Sequence, residues 1–227
     1  MLRRSVSRFR PVLGRFVRRR RRALLLDPDW FFRDREAAET LRVAASVVLL
    51  VAMVSMATAV LLTWVGYGLF EAELAEAGYD YSSFTAGLYE QLPMLFSATI
   101  IAWFAVAVAL HVLSWLATGE GSFLATLSVA AWGMAPLLVE FALRALLGYA
   151  SLRGLEFGGD PDQLVDLALA GGDRSAGRWV PLVAVVLCWQ AYVWTDGLVH
   201  ERSVDRLRAA AISGMVAVAW FAALVVA

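Results

Sequence analysis

Glu140 and Arg144 have the strongest claim to chemistry in this 227-residue chain. They interrupt a run that is otherwise uncharged from Ser122 to Leu147. Ionisable groups within an apolar run of membrane length commonly mark ion or proton paths. Four apart on one helix, however, they also satisfy each other. A structural pair is therefore the expected role, with Arg144 reaching toward the outer interface along its aliphatic stem. His111 lies in another apolar run, where a polar contact between helices accounts for it without titration. Asp196, His200 and Glu201 cluster after a further apolar run, on what is read below as the cytoplasmic side. Catalysis there would require a nucleophile on a strained elbow, and no GxSxG occurs. A P-loop, a dinucleotide GxGxxG and HExxH are also missing. The single Cys188 cannot form an internal disulfide, and one cysteine with two histidines cannot supply a four-ligand zinc site. Within its apolar run Cys188 reads as a small buried hydrophobe. Asp160, Asp162, Asp166 and Asp173 crowd one loop, but without EF-hand spacing or its terminal glutamate they read as a solvated acidic surface. No catalytic residue, cofactor-binding residue or metal ligand is assigned, no cofactor is expected, and the chain is not expected to be an enzyme.

The elements that would position these groups are set by composition. The chain is 60% hydrophobic and 18% charged, with formal net charge zero. About half apolar is usual for a soluble domain, so a water-soluble fold and extensive disorder are both disfavoured. A bilayer core requires about 20 apolar residues in a helix, and five stretches qualify. The spans are placed at about 43–64, 93–117, 122–147, 179–195 and 209–227. They are apolar all the way round, with none of the polar faces that a soluble bundle needs. The expected fold is all-α, a polytopic membrane protein of five transmembrane helices.

Charge placement orients the bundle. All 20 basic residues are arginine, and thirteen of them precede residue 43. The first loop, 65–90, carries acids and no arginine, whereas Arg202, Arg206 and Arg208 fall between the last two spans. Taking alternate connections, one side collects sixteen arginines and the other three, or four with Arg144. Basic residues are retained in the cytoplasm, so the N-terminus is expected inside and the C-terminus outside. The apolar stretch Ala23 to Leu26 is too short for a signal-peptide core, so the first span is expected to act as an uncleaved anchor.

Residues 1–25 form a basic cytoplasmic arm, and 26–227 form the membrane domain. Val6, Phe9, Leu13 and Phe16 recur among arginines at helical spacing, interrupted by Pro11, so the arm is expected to be disordered or to lie on the membrane surface. Arg18 to Arg22 is its strongest basic block. Next to a membrane span this block reads as a topogenic and lipid-contacting element for anionic headgroups, and no nucleic acid partner is expected. Asp27-Pro28 starts a short helix, and Trp30, Phe31 and Phe32 sit just before the first span, at headgroup level or against the cytoplasmic ends of the bundle. Gly119 to Ser122 closes a tight hairpin, with Ser122 as the helix cap. Pro136 is expected to kink the third span. Gly133 with Ala131 and Ala135, and Ala209, Ser213 and Ala217, offer small faces for helix packing or for assembly into an oligomer.

Three segments resemble the Yip1 domain family, most closely its archaeal membrane-protein branch. They are DPDWFF at 27–32, GEGSFLATLSVAAWGMAPLL at 119–138 and WQAYVWTDGLVHERSVDRLRAA at 189–210, set in a five-span layout. The resemblance covers residues 26–227. It implies a multispan protein without a catalytic centre. Eukaryotic relatives associate with Rab-type GTPases and with one another. Their DLYGP-like cytosolic motif is missing here, which argues against GTPase binding. The expected function is non-enzymatic, through protein–protein or protein–lipid contacts in organising the cell membrane. The alternative is a transporter or channel component that uses Glu140 and Arg144, although no internal repeat of the transporter kind is visible. A weaker alternative is a lipid-acting enzyme with Asp196 and His200 at the interface.

Overall fold

The computed structural model describes residues 32, 37–78, 80–118, 121–154 and 180–226. The basic arm, DPDWFF apart from Phe32, Gly119 and Glu120, and the loop acids at 160–173 lie outside the described residues. The described chain forms seven helices: α1 (Ala37–Leu69), α2 (Glu71–Glu76), α3 (Tyr81–Thr118), α4 (Phe123–Trp132), α5 (Pro136–Arg153), α6 (Val180–Arg202) and α7 (Arg206–Val226). A helix satisfies its own backbone polar groups, which lipid cannot do. Five stretches are long and apolar enough to cross a bilayer: Leu41–Leu69, Thr85–Ala117, Phe123–Arg153, Val180–Arg202 and Arg206–Leu224.

These spans agree in number with the sequence reading but run further at most ends. The first and second extend toward each other until only α2 and a short turn separate them. Leu74 and Phe70 are buried and pin that connection to the bundle. The fourth span does not stop at Thr195. It continues as helix through Asp196, His200 and Glu201 to Arg202, leaving only 203–205 as the link to α7. Asp205 caps α7 from the link, its carboxylate accepting from the Arg208 backbone N–H at 3.2 Å.

The third span is the centre of the bundle. Within its most apolar window 72% of residues are buried, against 28%, 22% and 28% for the first, second and fifth. It consists of two helices. Ser122 caps α4, its hydroxyl accepting from the Ala125 N–H at 3.2 Å. The helix then tightens at Gly133–Ala135 and restarts with Pro136 at the first position of α5, where a missing N–H costs nothing. The Trp132 carbonyl that Pro136 cannot serve accepts instead from the Ala135 N–H at 3.1 Å. The break is thus a tightened turn with its hydrogen bonds restored. α4 packs against α1, α3 and α6, while α7 lies against α6 and α3.

The small-residue faces are spent inside the protomer. Ala131, Ala135, Ala209, Ser213 and Ala217 are all buried in this chain. They close its own bundle. Cys188 requires a correction, because it is exposed on the outside of α6. In a helix that faces lipid, an apolar neighbourhood does not imply a position in the core.

Candidate functional site

Two polar systems stand out in the helical core. The first is at mid-bundle. Arg144 donates through Nε to Glu140 Oε1 at 2.8 Å and through Nη2 to the same oxygen. Both residues are buried, at 6% and 5% exposure. The i, i+4 spacing on α5 therefore gives the internal pair expected from the sequence. The pair borders a cavity of about 520 Å³ between α1, α3, α5, α6 and α7, together with Gln190, Met134 and Trp220.

The second system ties together the helix ends nearest the 119–122 turn. Its hub is Arg202, the last residue of α6, which is 1% exposed. Arg202 Nη1 donates to His111 Nδ1 of α3 at 2.8 Å and to Thr126 Oγ1 of α4 at 3.3 Å. A guanidinium can only donate. His111 must therefore present an unprotonated Nδ1, which fixes its tautomer with the hydrogen on Nε2. Phe123 meets the imidazole edge-on, with centroids 5.3 Å apart. Gly121 lies over Arg202 in the left-handed region at φ 88°, and a Cβ there would come within 2.8 Å of Arg202 Cδ. Glycine is needed both for the turn and for this approach. Close by, the fully buried Asp196 accepts from Arg206 Nη2 at 2.9 Å, joining α6 to α7 across the short link. Arg208 pairs with Asp205 at 3.0 Å on the exposed side.

His111 accordingly serves as the expected polar contact between helices. Asp196, His200 and Glu201 are placed in α6 and not in the loop expected from the sequence. Arg202 was not singled out by the sequence, where it reads as one of three loop arginines. The available signal is the apolar pattern of Gly197, Leu198 and Val199, which continues the helix past Asp196. Gln190 also went unmarked, since one amide in an apolar run carries no spacing signal. Among the described residues no group of three or more His, Cys, Asp or Glu side chains could hold a metal ion. What this arrangement does is structural: buried charges and hydroxyls lock α3, α4, α6 and α7 at one end, while a single ion pair faces a cavity at mid-bundle.

No curated protein and no solved structure matches the chain. The family model described as the Yip1 domain matches residues 22–227, most of the chain. With the five membrane-length helices, this match places the chain as a multi-pass membrane protein belonging to the Yip1 domain family.

Proposed function

We propose that this protein is a non-enzymatic organiser of the cell membrane that works through contacts with lipids and other proteins. Its N-terminus is cytoplasmic and its C-terminus outside. The observation that carries this reading is the family match across the whole membrane domain. The arginine bias supports the orientation. The arm would bring Arg18 to Arg22 onto anionic headgroups, each arginine contributing about 1 kcal/mol near the surface. Replacing all five with glutamine should remove about 5 kcal/mol of vesicle attraction, more than a thousandfold in affinity. The salt dependence should fall with it. The measurement is binding of the arm peptide to vesicles with and without anionic lipid. Undiminished, salt-insensitive binding by the substituted peptide would exclude the electrostatic contact.

The transport reading is favoured by one feature, the Glu140–Arg144 pair beside the mid-bundle cavity. Solute or proton flux in reconstituted vesicles that Glu140→Gln abolishes would favour that reading. The absence of flux in the unsubstituted protein would remove it.

A further inference from the structure

We propose that the mid-bundle cavity is a binding site for an uncharged lipid bearing a free hydroxyl group, such as a long-chain alcohol. This inference deepens the lipid-contact reading above and rests on the bundle's residence in a bilayer. The cavity volume of about 520 Å³ lies in the range of small-molecule sites, about 300–1,000 Å³. Most of its wall is apolar, from Val51, Ala102, Met134, Val183 and Leu187. Ile101, which also lines it, is 66% exposed, so the rim opens sideways toward lipid and not toward water.

One wall is polar, and its hydrogen-bonding capacity is incomplete. Both bonds that Arg144 makes to Glu140 end on Oε1, and Glu140 Oε2 has no hydrogen-bond partner among the described residues. Gln190, 4% exposed, lines the same cavity, and its side-chain amide likewise has no partner among the described residues. Buried polar groups in folded proteins are nearly always hydrogen-bonded. Here the unmet groups are an anionic acceptor and an amide that can donate. A hydroxyl group answers both, donating to Glu140 Oε2 and accepting from the Gln190 N–H. A carboxylate would meet Glu140 as a like charge, and a hydrocarbon would leave both groups unmet. The Glu140–Arg144 pair is neutral as a whole, so it offers no net attraction to an anionic headgroup. The remaining apolar wall accommodates the tail.

The test uses the full chain in lipid nanodiscs with three photoreactive probes of equal chain length: hexadecanol, hexadecanoate and hexadecane, each with a diazirine in the chain. Hexadecanol is expected to label α3 and α6 segments facing the cavity several-fold more than hexadecane does, with hexadecanoate no better than the hydrocarbon. Gln190→Leu should remove the excess for hexadecanol and leave hexadecane labelling unchanged. Ala102→Phe, which fills the cavity, should lower labelling by all three, and thermal unfolding reports whether each variant remains folded. Equal labelling by hexadecanol and hexadecane, or hexadecanol labelling indifferent to Gln190→Leu and Ala102→Phe, would reduce the site to ordinary boundary lipid and overturn the inference. Preferential labelling by hexadecanoate would overturn the assigned chemistry. Vesicle binding by the basic arm is independent of all three probes, so it separates failure of this site from failure of the broader lipid-contact reading.

Discussion

Among the described glycines, Gly133 leaves the least room for a side chain, against Trp194 of the fourth span, and it permits a sharp stability test. A Cβ built on Gly133 would fall 1.8 Å from Trp194 Nε1, 2.4 Å from Cδ1 and 2.8 Å from Cε2. Trp194 is 1% exposed, and its indole is a rigid plate that cannot yield at a flexible tip. Gly133→Ala therefore forces either the indole or the backbone of α4 to move. Overpacking of this kind costs about 1–3 kcal/mol, and the contact distance points to the upper end. The backbone itself raises no objection, since Gly133 has φ −65° and ψ −12°. Alanine would even recover about 0.5–1 kcal/mol of chain entropy. The net expectation is a loss of about 2 kcal/mol. Gly214→Ala is the matched control, because a Cβ there meets nothing within 4 Å. It should be neutral or stabilise by up to about 1 kcal/mol. Thermal unfolding of each variant in one detergent, followed by circular dichroism, gives the comparison. Trp194→Phe in the Gly133→Ala background should recover part of the loss, with a coupling of about 0.5–3 kcal/mol. Equal melting temperatures for Gly133→Ala and Gly214→Ala, or strict additivity with Trp194→Phe, would refute the close-packing argument.

Three further outcomes follow from the charges. Arg144→Met should destabilise by about 3–5 kcal/mol by stranding Glu140, while the double substitution Glu140→Leu with Arg144→Met should come close to wild-type stability in the same unfolding assay. Arg202 is buried, and among the described residues it has no ion-pair partner and its Nε and Nη2 lack hydrogen-bond partners, so its bonds to neutral groups offset only part of a desolvation cost of several kcal/mol. Arg202→Met should therefore be neutral or stabilising in unfolding experiments, and a loss above about 3 kcal/mol would show that the guanidinium is better satisfied than its contacts imply. Epitope tags at the two termini should be accessible from opposite faces of sealed membrane vesicles, and both tags on one face would contradict the odd number of crossings.

The five crossings were legible because each span is apolar around its whole circumference, a pattern that only lipid explains. Their ends were not, because the polar residues that bound them in the sequence are paired across helices. Asp196 looks like the start of a loop until Arg206 is seen to hold it at 2.9 Å, and Arg202 looks like a cytoplasmic charge until His111 and Thr126 are found against it. The Glu140–Arg144 pair was readable because it is local to one helix, and the Ser122 cap was readable for the same reason. Cys188 was misread because hydrophobicity cannot separate inside from outside when the solvent is itself apolar. Close approach at Gly133 was visible as a small residue among small residues. That it answers Trp194, sixty-one positions away, was not, and neither was the matching contact of Gly197 with Val129, where a Cβ would fall 2.5 Å from Cγ1.

That symmetry of apolar surfaces also explains where specificity must come from. Lipid tails compete with leucine on equal terms, so burial of apolar area does not by itself select one packing of five helices. Selection falls to contacts that lipid cannot imitate: backbone approach at glycine, and polar groups that hydrocarbon cannot satisfy. In this chain both converge on α4 and α6. Gly133 against Trp194 and Gly197 against Val129 set the distance between them. Arg202 bonds to Thr126 at one end, and Trp103 of α3 donates to the Leu127 carbonyl at 2.9 Å beside it. The outer helices α1, α3 and α7 instead present large apolar side chains to lipid, with Met53 at 64%, Leu116 at 69% and Val218 at 69% exposure. A helix whose outer face is so exposed can exchange protein for lipid at little cost, whereas separation of α4 from α6 opens gaps at two glycines and strands buried polar groups together. The seam between α4 and α6 should therefore open last as the bundle unfolds, and the cavity where the outer helices meet α5 and α6 should be the region most responsive to what the membrane supplies.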